Sequence, residues 1–168
     1  GNGTADYADG EGSKARFNIP MGVSFDGAGR LYVADNFNHI IRLIDIVSRT
    51  VTTVAGVAGV SGRTFGVPPL QSTFYYPNGV EADGAGNVYV ADTDNNAIRM
   101  LSGEWVAGST SGWPGSADAA GTSAFFNTPY AVRADVAGGL LFVADGRVRT
   151  ITTAGNHTVA TLATFNVT

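Results

Sequence analysis

The sequence predicts an all-β fold in which one four-stranded unit is written out three times. A short apolar strand ending in Asp occurs as Leu31-Tyr32-Val33-Ala34-Asp35, returns as Val88-Tyr89-Val90-Ala91-Asp92, and appears again as Leu140-Leu141-Phe142-Val143-Ala144-Asp145. An apolar run without polar breaks suits a strand covered on both faces. The same punctuation surrounds each copy. A Phe-x-x-Pro lead-in ends at Pro20, Pro77 and Pro129, and an Asp-led, Gly-rich turn stands before each apolar run. Self-similarity at long period is the mark of a repeat architecture.

Composition agrees with one packed β domain. The 168 residues are 44% hydrophobic and only 14% charged, which excludes a disordered chain. Gly occurs 23 times, as frequent tight turns require. The formal net charge is -4 and Lys14 is the one lysine, so the basic surface that nucleic-acid binding needs is absent from the sequence. There is no Cys, which removes disulfides and thiolate metal sites. No apolar run approaches the roughly 18 residues of a membrane span. The chain opens at Gly1 without an initiator Met, and the expectation is a processed product or a piece of a longer polypeptide.

The elements follow in order. Unit one covers 17–56. Met21-Gly22-Val23-Ser24-Phe25 is its first strand, and Asp26-Gly27-Ala28-Gly29 turns the chain with the positive φ that glycine supplies. The Leu31 strand comes back, His39 to Ile44 is the third strand, and β-branched residues from Thr50 to Ala55 make the fourth. Unit two, 74–108, repeats this with the turn Asp83-Gly84-Ala85-Gly86, a third strand from Asn95 to Leu101 and a fourth at Glu104-Trp105-Val106-Ala107. Unit three, 126–163, has one extra residue in its turn, Asp135-Val136-Ala137-Gly138-Gly139. Its later loop is shorter, reaching Arg149 four positions after Asp145, where the other units take seven. The connectors are 1–16, 57–73 and 109–125. Ala8-Asp9 precedes Phe17 as Ala117-Asp118 precedes Phe126, so the N-terminal segment reads like the junction between units two and three.

Four antiparallel strands at a period of about 50 residues is the pattern of a β-propeller blade. Pro-x-Gly-Val, Asp-x-x-Gly, Leu/Val-Tyr-Val-Ala-Asp and Asn-x-x-Ile-Arg in succession resemble the NHL repeat. Unit one carries the pattern at Pro20, Gly22, Val23, Asp26, Tyr32, Asp35, Asn38, Ile41 and Arg42. Unit two carries it at Pro77, Gly79, Val80, Asp83, Tyr89, Asp92, Asn95, Ile98 and Arg99. Unit three keeps Pro129, Asp135, Asp145 and Arg149, has Ala131 in place of Gly, and lacks the Asn of its shortened loop. The resemblance implies three blades, either an open arc or part of a roughly six-bladed propeller. Members of the family bind RNA or protein partners, act as extracellular sensors or, in a lyase branch, are metalloenzymes. An arc leaves a sheet face bare at each end. Further blades of the same protein, a protein partner, or self-assembly into a filament are expected to cover them.

Candidate residues divide by whether they keep the repeat. Asp35, Asp92 and Asp145, with Arg42, Arg99 and Arg149, occur once per unit and are read as repeat-structural, because catalytic groups break a repeat's symmetry. Asp92-Thr93-Asp94-Asn95 has the opening spacing of a calcium loop but lacks its Gly and closing Glu. His39 and His157 lie in different units and do not form a His-rich metal site. No catalytic residue, metal site or cofactor is expected. Asn2, Asn156 and Asn166 head Asn-x-Thr acceptor sequences for N-glycosylation, with Asn156 at an expected hairpin turn. Trp105 and Trp113 are candidate partner contacts. The sequence thus predicts a non-catalytic extracellular scaffold or protein- and glycan-interaction module. The alternative is part of an amidating-lyase or lactonase-like propeller enzyme whose catalytic groups lie outside this chain.

Overall fold

The three repeats become three separate antiparallel sheets. A computed structural model describes residues 5–65, 68–135 and 139–164. The strands in chain order are β1 (Gly10–Glu11), β2 (Pro20–Phe25), β3 (Arg30–Asp35), β4 (Ile40–Asp45), β5 (Thr50–Ala55), β6 (Pro77–Ala82), β7 (Val88–Asp92), β8 (Ala97–Met100), β9 (Trp105–Ala107), β10 (Ala131–Asp135), β11 (Leu140–Ala144), β12 (Arg147–Thr152) and β13 (Val159–Thr164). The sheet orders are β1-β5-β4-β3-β2, β6-β7-β8-β9 and β10-β11-β12-β13. Each is a four-stranded meander, and each forms one blade. In the first, the connector adds β1 as a fifth strand on β5 through Gly10↔Val51 and Glu11↔Thr50, so the segment before Phe17 holds a short strand that its sequence did not announce.

The Asp-Gly turns work as their residues require. Asp26 Oδ1 accepts the N–H groups of Ala28 at 2.8 Å and Arg30 at 3.0 Å. Asp83 does the same for Ala85 at 2.8 Å and Asn87 at 3.0 Å. The Asp side chain takes up backbone N–H groups that the turn leaves without a backbone partner. After β3 and β7 the chain makes a 3-10 turn, Asn36–Asn38 and Thr93–Asn95. His39 and Asn96 then close these turns in the left-handed region, at φ 58° and 54°. The third strand therefore starts at Ile40 rather than at His39.

The core lies between the blades. Tyr32, Ala34, Ile41 and Ala55 of the first sheet meet Val80, Val88 and Val90 of the second, with Phe74 filling the gap. Tyr89, Ala91, Ile98 and Ala107 of the second meet Val132, Leu141, Val143, Ile151 and Val159 of the third, with Phe126 between them. A middle strand such as β7 is buried along its whole length for this reason. The first blade's other face has no such cover among the described residues, and Val23 and Phe25 remain about half exposed, at 49% and 50%.

The inner strands approach so closely that a side chain has no room. A Cβ on Gly22 would meet the Asn78 carbonyl oxygen and lie 3.0 Å from Gly79 Cα and Val80 N. A Cβ on Gly79 would lie 2.9 Å from the Tyr130 oxygen and 3.0 Å from Ala131 Cα. The obstacles are backbone atoms, which cannot rotate away. Gly79→Ala is expected to lower stability by about 1–3 kcal/mol, the usual cost of overpacking. Urea denaturation of the two chains would show the loss as a lower midpoint at unchanged slope.

Candidate functional site

The most buried polar groups form one spoke per blade. Asp35 closes β3, and its Oδ1 accepts the Asn18 N–H at 2.8 Å. Its Oδ2 accepts Asn38 Nδ2 at 2.9 Å and Arg42 Nη1 at 3.0 Å. Asp92 repeats this with the Tyr75 N–H at 2.8 Å, Asn95 Nδ2 at 2.8 Å and Arg99 Nη1 at 2.8 Å. Asp145 meets Arg149 Nη1 at 3.0 Å. Arg42, Arg99 and Arg149 are all fully buried.

A buried guanidinium needs acceptors to offset its lost hydration, and the connector supplies them to the Nη groups, while the Nε of Arg42 and of Arg99 has none among the described residues. Arg42 donates to the carbonyls of Arg16 and Ala8 and to Asp9. Arg149 donates to Phe125, Ala117 and Asp118. Arg99 donates to the carbonyls of Thr73 and Thr64. Aromatic rings cover the faces: Phe17 at 4.8 Å from Arg42, Phe74 at 4.5 Å from Arg99 and Phe126 at 5.1 Å from Arg149. The Phe and the Asp of the repeat therefore serve the same cation. Burial pushes the Asp92 carboxyl above its ordinary value of 3.8, against the pull of Arg99. Asp145 is raised for the same reason, opposed by Arg149. Its Oδ1 has no hydrogen-bond partner among the described residues, because the lead-in N–H, which Oδ1 accepts in Asp35 and Asp92, here goes from Asn127 to Oδ2 at 3.4 Å, beside Arg149. A hollow of about 620 Å³ lies there, lined by Pro114, Asn127, Asp145, Gly146 and Arg147.

The other candidate residues are dispersed. Asp94 stands exposed beside the Asp92 spoke, and Asp92 has spent both oxygens on Arg99, Asn95 and Tyr75. Among the described residues no group of three His, Asp or Glu is placed to hold a metal. His157 lies in the β12–β13 turn against the Thr152 carbonyl. Asn156, next to it, is exposed. Asn2 and Asn166 lie outside the described residues. Trp105 is buried, donating to the Gly108 carbonyl at 2.6 Å and packed on Phe65. A partner does not reach it. Trp113 is 72% exposed on its connector.

Three features escaped the sequence reading. The first is a blade-to-blade clasp. His39 Nδ1 accepts the Tyr76 N–H at 3.2 Å, and Asn96 Oδ1 accepts the Thr128 N–H at 2.7 Å. The second is a polar link across the inner strands, in which Glu81 accepts from Ser24 Oγ, the Arg133 guanidinium and the Ala134 N–H. Ser24, Glu81 and Arg133 hold one register position in their units, which was the available signal. The third is an aromatic shelf on the lead-in side. Tyr76 stacks with Tyr75 at 5.2 Å between centroids and packs on Phe37 at 5.0 Å and His39 at 4.6 Å. Tyr75 and Phe37 remain 39% and 46% exposed.

Comparison with known proteins agrees with this geometry. Residues 74–100, the core of the second blade, match the family model of the NHL repeat. NHL repeat-containing protein 2 of Gallus gallus is 39% identical over 95 residues, covering 55% of this chain and 13% of its own length. The chain thus spans a small part of the curated relatives it matches. An auxiliary nutrient binding protein of Bacteroides thetaiotaomicron superposes with a TM-score of 0.64 at 18% identity, over 88% of this chain and 38% of that one. A chain of a nidogen/laminin complex superposes with a TM-score of 0.62 at 13% identity, over 89% and 50%. These likenesses show the β-propeller fold.

Two outcomes follow from the spokes and the clasp. Arg99→Met is expected to cost about 3–5 kcal/mol, because it strands a buried carboxylate, while adding Asp92→Asn recovers part of the loss; a double-mutant cycle by chemical denaturation measures both. Burial holds the His39 imidazole below its ordinary 6.5, against the pull of Asp94, and only the neutral ring accepts at Nδ1. The unfolded chain then binds the proton first, so stability is full above pH 6.5 and falls as pH drops through and below it. His39→Asn, the residue at the equivalent position of blade two, is expected to remove that slope in a pH series of thermal melts.

Proposed function

We propose that this run of NHL-repeat β-propeller blades is a non-catalytic interaction module of an extracellular protein. The observation that carries the reading is that the repeat's buried Asp–Arg pairs are consumed in holding the blades, whereas three exposed aromatic side chains, Phe37, Tyr75 and Tyr130, stand together with exposed aliphatic ones on one side. The register Pro20↔Asp35 and Pro77↔Asp92 puts the lead-ins and the 3-10 turns on the same side of the arc. Phe37, Tyr75, Ile19, Met21 and Tyr130 stand there, each between 39% and 58% exposed. Exposed apolar groups concentrated on one surface mark an interaction site, and rigid aromatics give contact area at little entropic cost. A protein chain or a glycan suits such a shelf.

Placement outside the cell rests on Asn156, whose acceptor sequence Asn156-His157-Thr158 sits in an exposed hairpin turn at Gly155, φ 72°. The expected result from native material is a glycopeptide at Asn156; an unmodified Asn156 peptide would remove the support for secretion. The enzymatic alternative predicts a bound metal in the full-length protein and activity lost on chelation, so metal analysis of native material separates the two. The shelf has its own test. Phe37→Ser with Tyr75→Ser is expected to abolish retention of proteins from the extracellular fluid on the immobilised chain while leaving the melting temperature within a few degrees. Unchanged retention would place the contact elsewhere, with exposed Trp113 the next residue to substitute.

A further inference from the structure

The two ends of the arc are not equivalent. Each internal junction is held by three devices on the outgoing side of the earlier blade. The inner-strand glycine, Gly22 or Gly79, admits the next backbone. The first turn residue donates to the next blade's proline carbonyl: Asn36 Nδ2 to Pro77 O at 3.1 Å, Thr93 Oγ1 to Pro129 O at 2.8 Å. The left-handed residue, His39 or Asn96, accepts the N–H of the residue before that proline. That residue, Tyr76 or Thr128, is itself at positive φ, 47° or 48°.

Blade one carries the receiving half of this junction. Ile19, before Pro20, stands at φ 51°, a costly conformation for a β-branched residue. Nothing among the described residues accepts its N–H. Val23 and Phe25, which match the buried Val80 and the partly buried Ala82, are half exposed. Blade three, in contrast, lacks the donating half in every part. Ala131 replaces the glycine, Gly146 replaces the turn donor, and the shortened loop has no counterpart of His39 or Asn96. A further inner strand laid on β10 as β10 lies on β6 would run its backbone into the Ala131 Cβ.

We infer that the arc is directional: the open face of blade one receives another blade of this same type, with Gly on its inner strand and Asn or His closing its turn, while the open face of blade three does not receive one. The strain at Ile19 is then the receptor geometry that Tyr76 and Thr128 show when engaged. This extends beyond the proposed function and does not depend on it.

The full chain itself provides the probe. Ala131→Gly, combined with exchange of Gly146–Val148 for the sequence of Thr93–Ile98, builds the donating half onto blade three. Mixed with the unaltered chain, this variant is expected to associate at least ~10-fold more tightly than the unaltered chain does with itself, read by sedimentation velocity. Phe25→Glu on the receiving copy is expected to abolish the gain. Should the exchanged loop prevent folding, Ala131→Gly with Gly146→Thr keeps the length and restores two of the three devices, with a smaller gain of the same sign. Equal association of altered and unaltered chains, or association that survives Phe25→Glu, overturns the inference, whether or not the aromatic shelf binds a partner.

Discussion

A guanidinium shut away from water governs how each blade is finished. Its charge cannot be left unpaired in a sheet's interior, so one Asp, several carbonyls and an aromatic ring converge on it. The carbonyls belong to the connector that leads into the blade, and the cation thereby ties the connector to the strand that follows it. This explains why connectors of different length and composition take the same course. Ala8 with Asp9 and Ala117 with Asp118 reach equivalent arginines in the same way. Blade two reaches the same end with the bare carbonyl of Thr64, which shows that the carbonyl, more than the extra carboxylate, is what the site requires.

Between blades the governing quantity is distance. The inner strands pack at backbone separation, the middle strands at the separation of Tyr, Ile and Val side chains, and a sheet with that gradient of side-chain size leans into a wedge. Glycine at the narrow end and aromatic residues farther out are two halves of one requirement. Polar groups then act where the wedge is thinnest: Glu81 bridges three inner strands, and the turns clasp the next lead-in. The rigidity that results leaves the lead-in side as a fixed platform on which exposed aromatic side chains are held without further ordering cost.

Much of this was legible in the chain. Three apolar runs ending in Asp, three Phe-x-x-Pro lead-ins and an Arg on the strand after each Asp announced the sheets and the residues of their spokes, because each obeys a local periodicity or a motif. The sequence reading grouped Trp105 with Trp113 as partner contacts, and the structure separates them. Both are large aromatics beside turns, and only the fold shows Phe65 and the Gly108 carbonyl enclosing one of them. The clasp from His39 to Tyr76 was hidden because its members are 37 residues apart and the residue type changes to Asn in the next unit. What the two share is an acceptor atom and a left-handed backbone, neither of which a residue letter displays.

The sequence by itself determined the repeat, the strand order within each sheet and the pairing of each Asp with its Arg, since all of these follow from contacts within one unit of chain. Only the tertiary structure decided what happens between units: which face meets which, where backbone replaces side chain, and how the first and last blades differ. Those outcomes depend on atoms brought together from 32 to 58 positions apart, where a missing Cβ or a turn shortened by three residues changes the docking without disturbing the strand pattern that identifies the blade.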